Sequence, residues 1–161
     1  MIPDQEDAFW CLVFVMYTRE WRSIFSDDSA KITQLINDLE EYLRRKCRTV
    51  YLHMQQQQVA TMAASFSSQL ITLFIYDMPF DAAIRVFELF LLDGEQVLVD
   101  LLAGMIQHKK STICGLHDLE LMTYLRKDLP QECLKEMQIS EIRRRKIKIF
   151  ILILLQKHQE R

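Results

Sequence analysis

Few side chains in this chain are spaced for chemistry. Cys114 and His117, at the ends of the stretch CGLH, bring a thiol and an imidazole three residues apart. A nucleophile with its base, or two metal ligands, could use that spacing. No second ligand pair follows at a partner spacing and no orienting third group is visible, so neither set is complete and a structural role is favoured. His53, His108 and His158 are isolated and read as surface or linker residues. The acidic pairs Asp27-Asp28 and Glu40-Glu41 read as solvated faces. The only glycines, Gly94, Gly104 and Gly115, lie too far apart to form a phosphate-cradling loop. No cofactor, metal or bound nucleotide is therefore expected. Arg85 is expected to pair with a nearby acid or to cover apolar surface with its stem.

The chain has 161 residues, 50% hydrophobic and 26% charged, enough for one domain with its own core. A formal net charge of -2 gives no global attraction to nucleic acid, and no nucleic-acid partner is expected. With three glycines and three prolines there is little material for hairpins, which points to helices. The four cysteines form no Cys-x-x-Cys pair, and the start of the chain has no signal-peptide pattern. Both features favour reduced thiols and a cytoplasmic location. The most apolar run, IKIFILILL at residues 147–155, is far shorter than the ~20 residues a membrane span needs.

Helical periodicity runs through the whole chain. Asp4 is placed to cap a first helix, with Asp7 three residues on in an approximate capping box. Phe9, Leu12, Val13 and Met16 share one face of it, with Trp10 and Phe14 beside them, a pattern that predicts burial; Cys11 reads as a small core hydrophobe. Ser29 is expected to cap a second helix that buries Ile32, Leu35, Ile36, Leu39 and Leu43 and ends in the basic run RRKCR. That run reads as a dipole complement or as a patch for an anionic partner. A third apolar stripe covers residues 60–76, with Ala63, Ala64 and Ser65 permitting close packing, and Pro79 stops it. The next helix buries Ala83, Val86, Phe87, Phe90 and Leu91 and ends at Asp93-Gly94. Another uses Val97, Leu98, Leu101, Leu102, Met105 and Ile106, and QHKKST reads as a connection. A short helix follows in LHDLELMTYLRKDLP, with Pro130 at the first position of another, and a last helix begins near Ser140. The expected fold is all-α, an irregular multi-helix domain.

Three segments, taken in order, resemble the TBC domain of Rab GTPase-activating proteins. EDAFWCLVFVM, residues 6–16, is similar to the family's acidic-Asp-Ala-Phe-Trp helix. FSSQLITLFIYDMPFDAAIRVFELFLLDGEQVLVDLLAGMI, residues 66–106, resembles its signature helix, proline break, Arg-x-aromatic-acidic helix and acidic-Gly turn. LELMTYLRKDLPQECLKEM, residues 119–137, resembles the closing segment. The chain thus reads as a single helical domain, residues 1–161, of which 4–137 resemble the C-terminal half of a TBC domain and 138–161 form a terminal basic and apolar helix. Phe87 stands where the family has tryptophan, and Ser68 or Gln69 where it has an aromatic; both departures read as core substitutions.

The resemblance implies a role in membrane traffic, with a Rab-type small GTPase as partner and Asp7, Phe9 and Trp10 near the docking groove. The alternative, that Phe9 and Trp10 are core residues, stands beside it. Family members insert an arginine and a glutamine into the nucleotide site, and an arginine supplied in trans is worth roughly 10³–10⁵ in rate. These residues lie in Ile-x-x-Asp-x-x-Arg and Tyr-x-Gln motifs upstream of the segment matched by EDAFW, and only five residues precede Glu6 here. The positions two after Tyr17, Tyr42, Tyr51, Tyr76 and Tyr124 hold Arg19, Arg44, His53, Met78 and Arg126. The nearest arginine-motif match, VLVDLLA at residues 97–103, ends in Ala103. No catalytic residue is assigned. Two functions are therefore expected as alternatives: the scaffold and Rab-docking half of a GTPase activator, or a complete, non-catalytic binding module. If the N-terminal TBC half is missing, its apolar contact surface faces water, and the chain is expected to self-associate, repack or take a partner. The basic residues Arg143, Arg144, Arg145 and Lys146 either seat the last helix peripherally on endomembranes or form a solvated face on a helix packed into the core.

Overall fold

The computed structural model describes residues 4–26 and 29–134, and among them every regular element is helical. Helix α1 (Gln5–Val13) begins where the sequence predicts: Asp4 has extended backbone and its Oδ1 accepts the Glu6 N–H at 2.9 Å. The chain continues through a π-helical turn, Phe14–Thr18, and a 3-10 turn, Trp21–Phe25. Helix α2 (Ala30–Lys46) is the axis of the domain. Its predicted stripe of Ile32, Leu35, Ile36, Leu39 and Leu43 is entirely buried, each such side chain contributing roughly 1.5–3 kcal/mol. Around α2 pack α3 (Arg48–Gln55), α4 (Met62–Ile71), α6 (Gln96–His108) and the 3-10 turn.

Helix α5 (Phe80–Asp93) lies against α6 and is closed by Gly94 at φ 83°, the left-handed region that glycine tolerates. Two short helices follow, α7 (Lys110–Gly115) and α8 (Asp118–Thr123). The latter runs into a π-helical turn, Tyr124–Asp128, that packs on α4. An ion pair between Lys31 and Glu95, 2.6 Å apart and largely sheltered, joins the start of α2 to the α5–α6 turn.

The structure departs from the sequence expectations at several points. Ser29 does not cap α2; its own φ of 51° is left-handed, whereas side-chain capping uses extended backbone. The stripe over residues 60–76 is helical only to Ile71, because Leu73 and Phe74 adopt φ values of 52° and 63°. Each left-handed residue costs roughly 1–2 kcal/mol, offset here by burial of both side chains. Of the three small residues in α4, only Ser65 is buried; Ala63 and Ala64 face solvent. QHKKST is not a connection, since α6 ends at His108 and α7 begins at Lys110. The expected helix from Ser140, with Arg143, Arg144, Arg145 and Lys146, and the Asp27-Asp28 pair lie outside the described residues.

Pro130 does not open a new helix but lies within a helical run, and this explains a buried polar residue. Leu129 donates its N–H to Tyr124 O, one residue out of α-helical register, and Pro130 has no N–H at all. The carbonyls of Leu125 and Arg126 thereby lose their usual donors four residues on. Gln69, fully buried in α4, supplies the replacement: its Nε2 donates to Leu125 O at 2.9 Å and to Arg126 O at 3.2 Å. A core substitution in volume, Gln69 is also a clamp.

Replacing Gln69 with leucine leaves two sheltered carbonyls unpaired and is expected to cost about 1–3 kcal/mol in urea unfolding. The same change in a Pro130→Ala background, where residue 130 regains its N–H, is expected to cost less, which a double-mutant cycle measures. Asp77 gives a pH dependence. Burial raises its carboxyl above the ordinary 3.8, Arg126 opposing the rise, and its Oδ2 has no hydrogen-bond partner. A raised acid favours the fold when protonated, and that contribution disappears as pH rises through the folded value. Asp77→Asn is therefore expected to raise the Tm at neutral pH, with the gain shrinking as pH falls through the raised folded value and gone below the ordinary carboxylate value.

Candidate functional site

Helix α1 is short, acidic at its start and apolar thereafter, and the structure leaves it uncovered. None of its residues is buried, so the predicted burial of this helix is not observed. The reason is connectivity. It is anchored through the π-helical turn, whose Val15 is in the core and which packs on the 3-10 turn, rather than by its own apolar face. Arg19 reinforces the anchor: its Nη2 donates to Leu91 O and, at 3.0 Å, to Leu92 O, while its guanidinium lies 5.4 Å from the centre of the Phe14 ring. A cation at these last carbonyls of α5 is favourably placed.

Phe9 and Trp10 are 57% and 59% exposed and meet edge to face at 5.5 Å. The reading of the two as core residues is thus overturned. At 100° per residue, Asp7, Trp10 and Phe14 fall on one side of the helix, and exposed Tyr17 extends the same line. Ala8, Cys11, Leu12, Val15 and Met16 point to the other side, where they form one wall of an open apolar groove of about 460 Å³. Trp21 lies at its floor, and the opposite wall is the segment from Ile71 to Tyr76. Cys11 is accordingly half-buried at a groove wall rather than a core hydrophobe. Helix α1 thus presents two apolar surfaces, an outer aromatic one beside Asp7 and an inner one on the groove.

The remaining candidates are not brought into a reactive arrangement. Arg85 is exposed and pairs with Glu88 at 2.7 Å, as expected of a scaffold residue. Ala103 is buried within α6. Cys114 packs against the core, and His117 does not face it as a base; its ring meets that of His53 at 5.2 Å. His53 is not isolated, since its Nε2 also lies 2.8 Å from Leu116 O. Gln57 and Gln58 complete this tie between α3 and α8 through hydrogen bonds with Asp118. Sequence spacing could not reveal it, because the partners are about sixty residues apart. In the basic run that ends α2, Arg44 and Arg45 both pair with Glu41, holding its carboxyl below the usual range. Burial pushes the Cys47 thiol up, which disfavours the reactive thiolate. Among the described residues, no cluster of three His, Cys, Asp or Glu could hold a metal, and no helix is long and apolar enough to cross a membrane.

Comparison with known proteins bears on the same helices. The model of the Rab-GTPase-TBC domain matches residues 1–114. The Drosophila melanogaster ortholog of ecotropic viral integration site 5 is 23% identical over 126 residues, covering 78% of this chain and 16% of the relative. TBC1 domain family member 2A of Rattus norvegicus is 27% identical over 129 residues, covering 78% of this chain and 14% of the relative. TBC1 domain family member 4 of Mus musculus is 23% identical over 135 residues, covering 83% and 10% respectively. The chain therefore spans less than a fifth of the length of these relatives. No solved structure matches it. The family match takes in α1 through α6 and nearly all of α7, so the helix that carries Asp7, Phe9 and Trp10 and the scaffold that holds it are those of a recognised domain: the chain belongs to the Rab-GTPase-TBC family.

Proposed function

We propose that this chain is the scaffold and Rab-docking portion of a GTPase-activating protein for Rab-type small GTPases, without arginine or glutamine fingers of its own. Such a protein acts in membrane traffic, in the cytoplasm and peripherally on endomembranes. The observation that carries the reading is the exposed aromatic pair Phe9–Trp10 on α1, with Trp10 on the same side of the helix as Asp7. Exposed aromatics such as these are enriched at interface centres. The arginine nearest to a substitute finger, Arg85, is held by Glu88 on a helix surface. The inner face of α1 needs a cover as well, and the N-terminal half of a TBC domain or a second copy of this chain fits that need. Peripheral membrane contact would come from Arg143, Arg144, Arg145 and Lys146.

A second reading, a non-catalytic binding module for a small GTPase or another protein, shares the docking face and differs only in whether hydrolysis follows. A single-turnover GTP hydrolysis assay across a panel of Rab proteins is expected to show no stimulation by this chain. Stimulation abolished by Arg85→Ala, or by any other single arginine substitution, would refute the fingerless reading. On the binding side, Trp10→Ala is expected to weaken the best-bound Rab by at least about tenfold, as central aromatics typically do. The Tm should move little, because Trp10 is more than half exposed. Unchanged affinity for every Rab that binds would remove α1 from the docking site.

A further inference from the structure

Among the described residues only two polar side chains are buried, and both belong to α4. Ser65 and Gln69 are each fully enclosed. They stand four residues apart, which places them one turn apart on a single face of the helix, with Cβ atoms about 5–6 Å from each other. That face meets the π-helical turn Tyr124–Asp128, since Gln69 bonds to carbonyls there, and α8 packs on the same helix. The side chains that these two elements bury are otherwise apolar, Leu121 and Leu125, apart from Tyr124, whose hydroxyl is spent on Glu132 at 3.0 Å.

Each of the two polar residues has one atom without a partner in the protein, Ser65 Oγ and Gln69 Oε1. Turning the Gln69 amide would not relieve this. Its Nε2 already donates to both Leu125 O and Arg126 O, and the flipped amide would set an acceptor against two carbonyls. Oε1 therefore needs a donor. The Ser65 hydroxyl departs from the habit of its own helix: Ser67 donates to Ala63 O at 2.6 Å and Thr72 to Ser68 O at 2.8 Å, each four residues back. Ser65 makes no such bond to Thr61, and it does not bond to Gln69 directly. A hydroxyl and an acceptor are thus buried on one face, close together and unjoined.

We propose that α4 and the Tyr124–Asp128 turn enclose a binding site for one water molecule, which accepts from the Ser65 hydroxyl and donates to Gln69 Oε1. The chemistry of the site selects this ligand. A hard cation would need several oxygen ligands, and the Leu125 and Arg126 carbonyls are already engaged by Gln69. An anion would meet one hydroxyl donor and a repelling acceptor. Water alone both accepts and donates, and two protein partners lie within the range that buried waters use. The molecule extends the Gln69 clamp into a chain, from Ser65 through the water and the amide to the two carbonyls, and Ser65 is by this route a positioning residue for Gln69.

The first measurement uses the native 161-residue chain. The Gln69 side-chain amide protons are expected to show cross-relaxation with water of opposite sign in the laboratory and rotating frames, the mark of a water held far longer than surface hydration. Exchange of the Ser65 hydroxyl proton imitates such peaks, so the second measurement follows the water oxygen nucleus, which does not exchange with a hydroxyl. In Ser65→Ala the water keeps a single protein partner, too few to hold it. The magnetic relaxation dispersion of the water oxygen is expected to fall by the amplitude of one long-lived molecule in this variant. Alanine suits a helix interior, so the fold is retained. Ser67→Ala, which removes a hydroxyl already bonded within the helix, is expected to leave the amplitude unchanged. Absence of the Gln69 cross-peaks in the native chain would overturn the proposal. An equal oxygen amplitude in the native chain and Ser65→Ala would overturn it as well, and would assign the peaks to the hydroxyl alone.

Discussion

The stripe of Ile32, Leu35, Ile36, Leu39 and Leu43 along α2 is the contact on which the other helices depend. Because α2 touches α3, α4, α6 and the 3-10 turn, those elements take their positions from one apolar line and not from one another. Away from the stripe, α2 exposes Asp38 and leaves Glu40 and Glu41 half-exposed, which fixes its rotation about its own axis. Elements that miss this line must be secured by other means. Helix α5 is secured by α6 and by the Gly94 turn, and the segment after α1 by Trp21, whose ring packs edge to face on Phe90 at 4.9 Å.

Polar interactions appear where the backbone fails to satisfy itself. The register slip after Tyr124 and the missing N–H of Pro130 expose two carbonyls, and Gln69 answers both from another helix. Arg19 acts similarly at the end of α5. In each case a side chain distant in sequence completes a helix terminus or defect, which a purely apolar core could not do without leaving buried acceptors unpaired. The domain therefore rests on a nonpolar axis with a small number of long-range polar ties.

Much of this was legible in the sequence. The stripes of α2, α5 and α6, the Asp4 cap and the Gly94 stop follow from periodicity and from the chemistry of helix ends, and the helices formed where those signals were strongest. Three things were not legible. The turn at Leu73 and Phe74 breaks a continuous apolar pattern with two non-glycine residues in left-handed conformation, and no local signal marks it. The roles of Gln69 and Arg19 depend on carbonyls 56 and 72 residues away. The burial expected for α1 failed because periodicity measures how apolar a helix is and not whether anything faces it. Of the candidate site, the residues Asp7, Phe9 and Trp10 came from resemblance, and their exposure from the structure.

The exposed state of α1 has an energetic consequence for anything that lies on it. A helix of nine residues is below the length of ~12–15 at which isolated helices hold together in water. Tertiary packing ordinarily supplies the difference, and here it reaches α1 only through the turn at its C-terminal end. The helix thus belongs to the low end of the range of local opening free energies, with amide protection well below that of α2. A molecule that settles on either face spends part of its interaction on ordering these residues, and its affinity is reduced by that amount. The two faces share one backbone, so order imposed from one side is already present for the other. Occupancy of the groove and occupancy of the aromatic face are linked through helix formation itself, with positive sign and without direct contact between the two ligands.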